Sequence, residues 1–174
     1  MDSDSYSKQQ LDDLFMDMIA YYDGDPKRIQ HFTKVHSYAR LIGIGEELDD
    51  ASLFILEAAA YTHDIGIRVA EEKYGRCDGK LQEQEGPIIA QKMLSQLGFE
   101  NYIVETICFL IGHHHTYDNI DGLDYQILVE ADFLVNLYED DAGNRAIDKA
   151  YKRIFKTETG KKIFRLMFGY EEED

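Results

Sequence analysis

The chain has 174 residues, 44% hydrophobic and 30% charged, a composition that fits one globular domain and excludes a disordered or fibrous chain. Its formal net charge is -16, so neither a nucleic-acid polymer nor an anionic membrane is expected as partner, because both bind basic surfaces. A small phosphorylated ligand remains compatible with that charge, since a bound cation inverts the local field.

Only two prolines occur, and apolar spacing is helical nearly throughout. In "QQLDDLFMDMIAYYDG", Leu11, Leu14, Phe15, Met18 and Ile19 form a one-sided stripe that stops at Gly24. Asp25 and Pro26 read as N-cap and first residue of a second helix, "PKRIQHFTKVHSYARLIGIGEEL". A third, "DDASLFILEAAAYTHDIG", takes Asp49 or Asp50 as its cap. The period fades through "IRVAEEKYGRCDGKLQEQ", which Gly75 and Gly79 interrupt, and this stretch reads as a loop with short helical turns. "EGPIIAQKMLSQLG" is a fourth helix with Pro87 near its start, and "NYIVETICFLIGHHH" is a fifth. After the turn-rich "TYDNIDGL" come "DYQILVEADFLVNLYED", "GNRAIDKAYKRIF" and the closing "KTETGKKIFRLMFGY". The tail "EEED", residues 171–174, is a solvated charge run.

Period-2 strands and internal repeats are absent from this pattern. The expected class is all-α, a bundle of about seven to eight helices with no significant sheet. One domain is expected over residues 1–174, with its core at about 25–140 and C-terminal helices at 141–170 packing on it. Cys77 and Cys108 form no disulfide or metal framework, which suits a reducing compartment. The N-terminus "MDSDSYSKQQ" has no apolar signal core, and "YIVETICFLIG" is too short to span a bilayer and contains Glu105. A cytoplasmic protein is expected.

Helical geometry then shows which polar residues face inward. His31 lies within about 40° of Val35, Tyr38 and Ile42, whereas His36 is about 140° away on the side of Ser37 and Arg40. His114 falls on the stripe of Ile103, Ile107, Leu110 and Ile111; His115 flanks it and His113 points away. Asp132 lies about 40° from Leu128, on the inward side, where a carboxylate needs a counter-charge. His63 and Asp64 stand side by side at the end of "LEAAAYT". Taken singly, each is more readily a hydrogen-bonded core residue than a ligand. His31, His63, Asp64, His114 and Asp132 together in one small core favour a metal site of the Zn, Mn, Fe or Mg type.

These residues resemble the pattern of the HD superfamily of metal-dependent phosphohydrolases. The match comprises His31 in "HFTKV", His63-Asp64 in "AAAYTHDIG" and Asp132 in "LVEADFLVN", spanning most of the chain from His31 to Asn136. The resemblance implies an HD-domain helical bundle in which those four residues bind one divalent cation (Mn, Fe, Zn, Mg or Ni). Many members hold a second cation through additional histidines. His114 and His115 match one of those motifs, but the other position is Gln82, with Glu83 or Glu85 as replacement oxygen ligands. The lysine that often follows the motif is absent; Ile67 occupies its place and Arg68 follows.

The chemistry so implied is hydrolysis of a phosphate ester or anhydride of a nucleotide or other small metabolite, by a water whose pKa the cation lowers. Asp64 is then a ligand, and the bridge if a second cation binds; His114 is a ligand of that second cation or, with one metal, a phosphate contact or proton shuttle. Arg68 and Lys80 are candidates to hold the phosphate, and the basic cluster "YKRIFKTETGKK" is another. An oxygenase of the HD type with two irons, and a catalytically silent metal-binding module, are the alternatives.

Overall fold

Nine helices and no strand make up the described residues, 8–172, of the computed structural model. They are α1 (Lys8–Tyr21), α2 (Pro26–Gly45), α3 (Asp50–Thr62), α4 (Gly66–Tyr74), α5 (Gly79–Gln96), α6 (Asn101–Ile111), α7 (Leu123–Glu139), α8 (Asn144–Ile154) and α9 (Glu158–Phe168). Glu173 and Asp174 of the acidic tail, and the polar stretch before Lys8, lie outside the described residues.

Local chemistry sets the boundaries. The Asp25 carboxylate accepts from Arg28 N at 3.1 Å and Pro26 occupies the first helical turn of α2. Asp49, rather than Asp50, caps α3 through Ser52 N at 2.8 Å. Helices α2, α3 and α7 pack against one another at the centre. There Val35, Ile42, Leu56, Ile127, Leu128 and Leu134 are completely buried, each contributing about 1.5–3 kcal/mol of hydrophobic stabilisation. The run Ala58, Ala59, Ala60 keeps α3 slim enough for neighbours on several sides. Around this centre α1 lies on α3, α5 bridges α4 and α6, and α8 and α9 lean on α7.

The stretch read as a loop is largely helix. It forms α4 and the first half of α5, so Pro87 sits in the interior of α5 rather than near its start. The glycines that blurred the pattern have specific jobs. Gly75 closes α4 at φ +67°, a left-handed conformation that favours glycine. A Cβ at Gly66 would lie 2.7 Å from the Gln82 carbonyl oxygen and from Gly86 N, so these glycines let α4 and α5 touch. No helix among the described residues is long and apolar enough to cross a membrane.

Candidate metal centre

The "THDIG" turn joins the end of α3 to the start of α4. Its backbone is pinned from α1 and the residue that follows it, because Tyr21 and Tyr22 donate from their hydroxyls to the carbonyls of Ile65 (3.2 Å) and Asp64 (2.7 Å). His63 is the C-cap of α3 and completely buried. Its Nδ1 lies 2.9 Å from the Ala60 carbonyl, one of the last-turn carbonyls that lack an intrahelical donor. His114, just past α6, repeats the device with Ile111 O at 2.7 Å. In each case Nδ1–H donates, and the Nε2 lone pair is aimed away from the helix.

His31, from α2, is oriented by a carboxylate instead. Its Nδ1–H donates to Glu139 at 2.8 Å, and the other Glu139 oxygen accepts from Lys34 at 2.7 Å. Asp132, Asn136 and Glu139 share one face of α7. The Asn136 amide donates to Asp132 Oδ1 at 2.8 Å.

Four donor atoms from three segments, α2, the THDIG turn and α7, consequently converge. His31 Nε2 lies 3.3 Å from His63 Nε2 and 3.2 Å from both Asp64 Oδ2 and Asp132 Oδ1. His63 Nε2 lies 3.4 Å from the same two oxygens. A cation about 2.0–2.2 Å from each donor would hold neighbours roughly 3.0–3.5 Å apart, so the spacing fits one such ion. The donor set also fits, because imidazoles with Nδ1 already engaged and two carboxylates present only lone pairs inward.

The electrostatics agree. Burial lowers the proton affinity of His31, but the Asp132 hydrogen bond and the Asp64 charge outweigh it and raise its pKa above the ordinary imidazole value. His63 is raised more strongly, with Asp64 as the main opponent of burial. Burial by itself would raise Asp64 and Asp132. Instead His63 holds Asp64 well below the usual carboxylate range, and hydrogen bonds from His31 and His63 depress Asp132. A divalent cation would replace the protons that this cluster otherwise demands.

A second, looser group comprises Asp64, His114 and His115, whose ligating atoms lie within 4.8 Å of one another. His114 Nε2 is 3.5 Å from Asp64 Oδ1 and is buried without a hydrogen-bond partner. Such an orphaned nitrogen is costly unless a ligand reaches it. His115 is committed elsewhere. The Gln82 amide donates to the Cys77 carbonyl at 2.8 Å, which turns its oxygen toward His115 Nε2 at 3.0 Å. Burial and the neighbouring His114 push the His115 pKa down to about 4.

The structure thus brings His31, His63, Asp64, Asp132 and His114 together, with His115 alongside. It commits Glu85 and Arg68 elsewhere. Glu85 accepts from Lys73 Nζ at 2.6 Å and Tyr74 OH at 2.9 Å, so its charge is spent between α4 and α5. Arg68 donates to the Tyr21 carbonyl at 2.6 Å and pairs with Glu72 at 3.3 Å, one turn along its own helix. Lys80 is exposed at the start of α5. Glu83 donates no ligand either; it accepts from His115 N and Thr116. His36 stacks on Tyr61 and meets Glu57 at 3.0 Å, away from the centre. Sequence periodicity did not reveal Glu139 or Lys34 as supports for His31. The only available signal was Glu139 standing seven residues after Asp132, two helical turns along the same face.

Comparison with known proteins gives three findings. The family model described as "HD domain" matches residues 28–154. A crystal structure of a predicted HD superfamily hydrolase from an uncultured Thermotogales bacterium is similar at 28% identity and a TM-score of 0.63, over 93% of this chain and 85% of that one. A comparison with curated proteins finds no match.

Proposed function

The chain belongs to the HD domain family, and from that premise we propose that it is a metal-dependent phosphohydrolase acting on a small phosphorylated substrate rather than a nucleic-acid polymer. One observation carries this reading: four lone-pair donors, from His31, His63, Asp64 and Asp132, are packed at 3.2–3.4 Å. A divalent cation held by them would supply Lewis acidity toward a phosphoryl oxygen and lower the pKa of water.

The protein's own groups do the rest. His31 and His63 keep fixed tautomers through Glu139 and Ala60, so no reorganisation is needed when the ion binds. Asp64 offers Oδ2 to the four-donor set and leaves Oδ1 toward His114. The unpartnered His114 Nε2 is placed to contact a phosphoryl oxygen or to move a proton on the substrate side. One cation per chain is expected, because Gln82 holds His115 Nε2 as a donor and so withdraws a ligand from a second site. That withdrawal also counts against the oxygenase with two irons. The free thiols of Cys77 and Cys108 support a reducing, cytoplasmic setting.

The test is elemental analysis of the purified protein with an Asp64→Ala control, followed by a panel of phosphate esters and anhydrides. About one metal per chain, lost in a still-helical mutant, with turnover of at least one ester or anhydride, is the expected result. Metal retained in full by Asp64→Ala sinks the site, and a metal-loaded protein inert on the whole panel sinks the reaction.

A further inference from the structure

In a chain with 34 acidic and 18 basic residues, a cleft lined by two cations runs against the overall charge. Arg28, Lys34, Arg40, Arg68, Lys73 and Lys152 all have carboxylate partners. Lys149 and Arg153, one turn apart on α8, form no ion pair among the described residues. Both line a cleft of about 510 Å³ between α8, α7 and the segment after α6. The cleft floor is apolar and aromatic, formed by Phe133, Leu137 and Tyr117, with the Tyr117 and Phe133 rings edge to face at 5.2 Å. Asp118 is the one acid on its lining. Beyond Lys149 and Arg153 the cleft opens into a shallower depression that adds Arg145, which also has no ion-pair partner among the described residues.

The cleft adjoins the metal centre through a shared wall. Tyr117 turns its ring to Phe133, while its hydroxyl lies 3.3 Å from His115 Nδ1. Phe133 directly follows Asp132 on α7. A volume of this size suits a small organic molecule. Inorganic phosphate alone would leave two aromatic rings and Leu137 unused, and a purely apolar ligand would leave two cations unmatched.

We propose that this cleft is the subsite for the non-reacting end of the substrate, and that this end carries an aromatic ring and a further negative charge, as the nucleoside and α-phosphate of a nucleoside diphosphate do. Phe133 and Tyr117 take the ring, while Lys149 and Arg153 take the charge and, in so acidic a chain, draw the anion to this side of the molecule. The inference rests on the phosphohydrolase reading for its word "substrate", but the binding it describes is measurable without turnover.

The experiment is calorimetric titration of the metal-loaded full chain with three probes: the α,β-methylene analogue of ADP, methylenediphosphonate and adenosine. The first has ring and charge, the second charge without ring, the third ring without charge. The ADP analogue should bind at least about tenfold more tightly than either fragment. Lys149→Ala combined with Arg153→Ala should weaken it, and methylenediphosphonate with it, about tenfold or more, and leave adenosine within about threefold. Both residues are exposed, so folding should survive; the charge-conserving Arg153→Lys should keep most of the affinity. Equal binding of the analogue and methylenediphosphonate, or a double variant that binds the analogue like the wild type, overturns the proposal. If the double variant loses binding while no phosphate compound is ever turned over, the cleft stands and the phosphohydrolase reading falls. If esters are hydrolysed and the double variant is indifferent to the ring, the reverse holds.

Discussion

Glu139 touches no donor atom of the cluster except through His31, yet the structure gives it control over metal affinity. His31 Nε2 is the best-connected donor, within 3.3 Å of the other three, so a small rotation of its ring misplaces it against all of them. The ring is held by the 2.8 Å bond from Nδ1–H to Glu139. Glu139→Ala removes that acceptor and leaves Lys34 without its counter-ion close to a cation site. Loss of such a support for a metal-ligating histidine costs about 10–100-fold in affinity, or about 1.4–2.8 kcal/mol. The upper half of that range is expected, because freed Lys34 adds repulsion to lost alignment. Glu139→Gln keeps a neutral acceptor and should lie at the lower end. The assay is competition against a chromophoric chelator, with Lys34→Ala as control. Lys34 is a partly exposed partner, and its removal should change affinity by no more than about threefold. Metal-free stability should fall by only about 1 kcal/mol in Glu139→Ala, since an ion pair and a hydrogen bond near the surface are lost without opening a cavity. A Glu139→Ala protein with metal affinity within about threefold of wild type would refute the argument.

Two further expectations concern the second site and pH. Gln82→His should raise metal content from one toward two ions per chain, because the amide that occupies His115 Nε2 is replaced by a third imidazole beside His114 and His115; an unchanged ratio by elemental analysis refutes the role given to Gln82. Raised imidazole pKa values at His31 and His63 mean that protons compete with the cation, so apparent metal affinity should climb as pH rises through neutrality, with proton release measurable by calorimetry in buffers of different ionisation enthalpy. In the metal-free protein the same raised values stabilise the fold fully below about pH 6.5, the unfolded imidazole value, and that contribution is lost as pH rises through the folded values. Thermal unfolding should therefore show the metal-free midpoint falling, and the metal-induced gain growing, between mildly acid and mildly alkaline pH; a metal-induced gain independent of pH would contradict the assignment.

Residues whose signals are local were readable from the sequence alone. Asp25-Pro26, the Leu11–Ile19 stripe and the apolar run of α7 announce helices because caps and periodicity act within a few residues. The inward placement of His31 over His36 followed from the same arithmetic. What failed were features set by partners far away in the chain. Gly66 and Gly86 break a periodic pattern, yet they serve a contact between α4 and α5. Glu85 looks like an oxygen ligand by its spacing, but Lys73 and Tyr74 on the neighbouring helix take its carboxylate. Arg68 stands beside the metal motif in sequence, while a helical rise and a turn carry its guanidinium out to Tyr21 and Glu72. Arg153 belongs to the basic cluster "YKRIFKTETGKK" that the sequence offered for a phosphate, whereas Lys149 gave no such signal; only the fold puts the two beside Tyr117 and Phe133 on one cleft.

The way the imidazoles are held explains why such polar residues terminate apolar helices. Both α3 and α6 end at the cluster, and each brings a set of last-turn carbonyls and the negative end of its dipole, roughly half an elementary charge. His63 and His114 consume a carbonyl apiece, at Ala60 and Ile111, so one hydrogen bond satisfies the helix end and fixes the tautomer. The negative helix ends add to Asp64 and Asp132, which makes the spot attractive to a cation even before substrate arrives. The same field repels a phosphorylated compound. With Arg68 turned outward and Glu85 neutralising Lys73, neither of these cations offsets that repulsion for the part of a substrate that does not touch the metal. The charges of Lys149 and Arg153, across Tyr117 from the centre, sit where such compensation is needed.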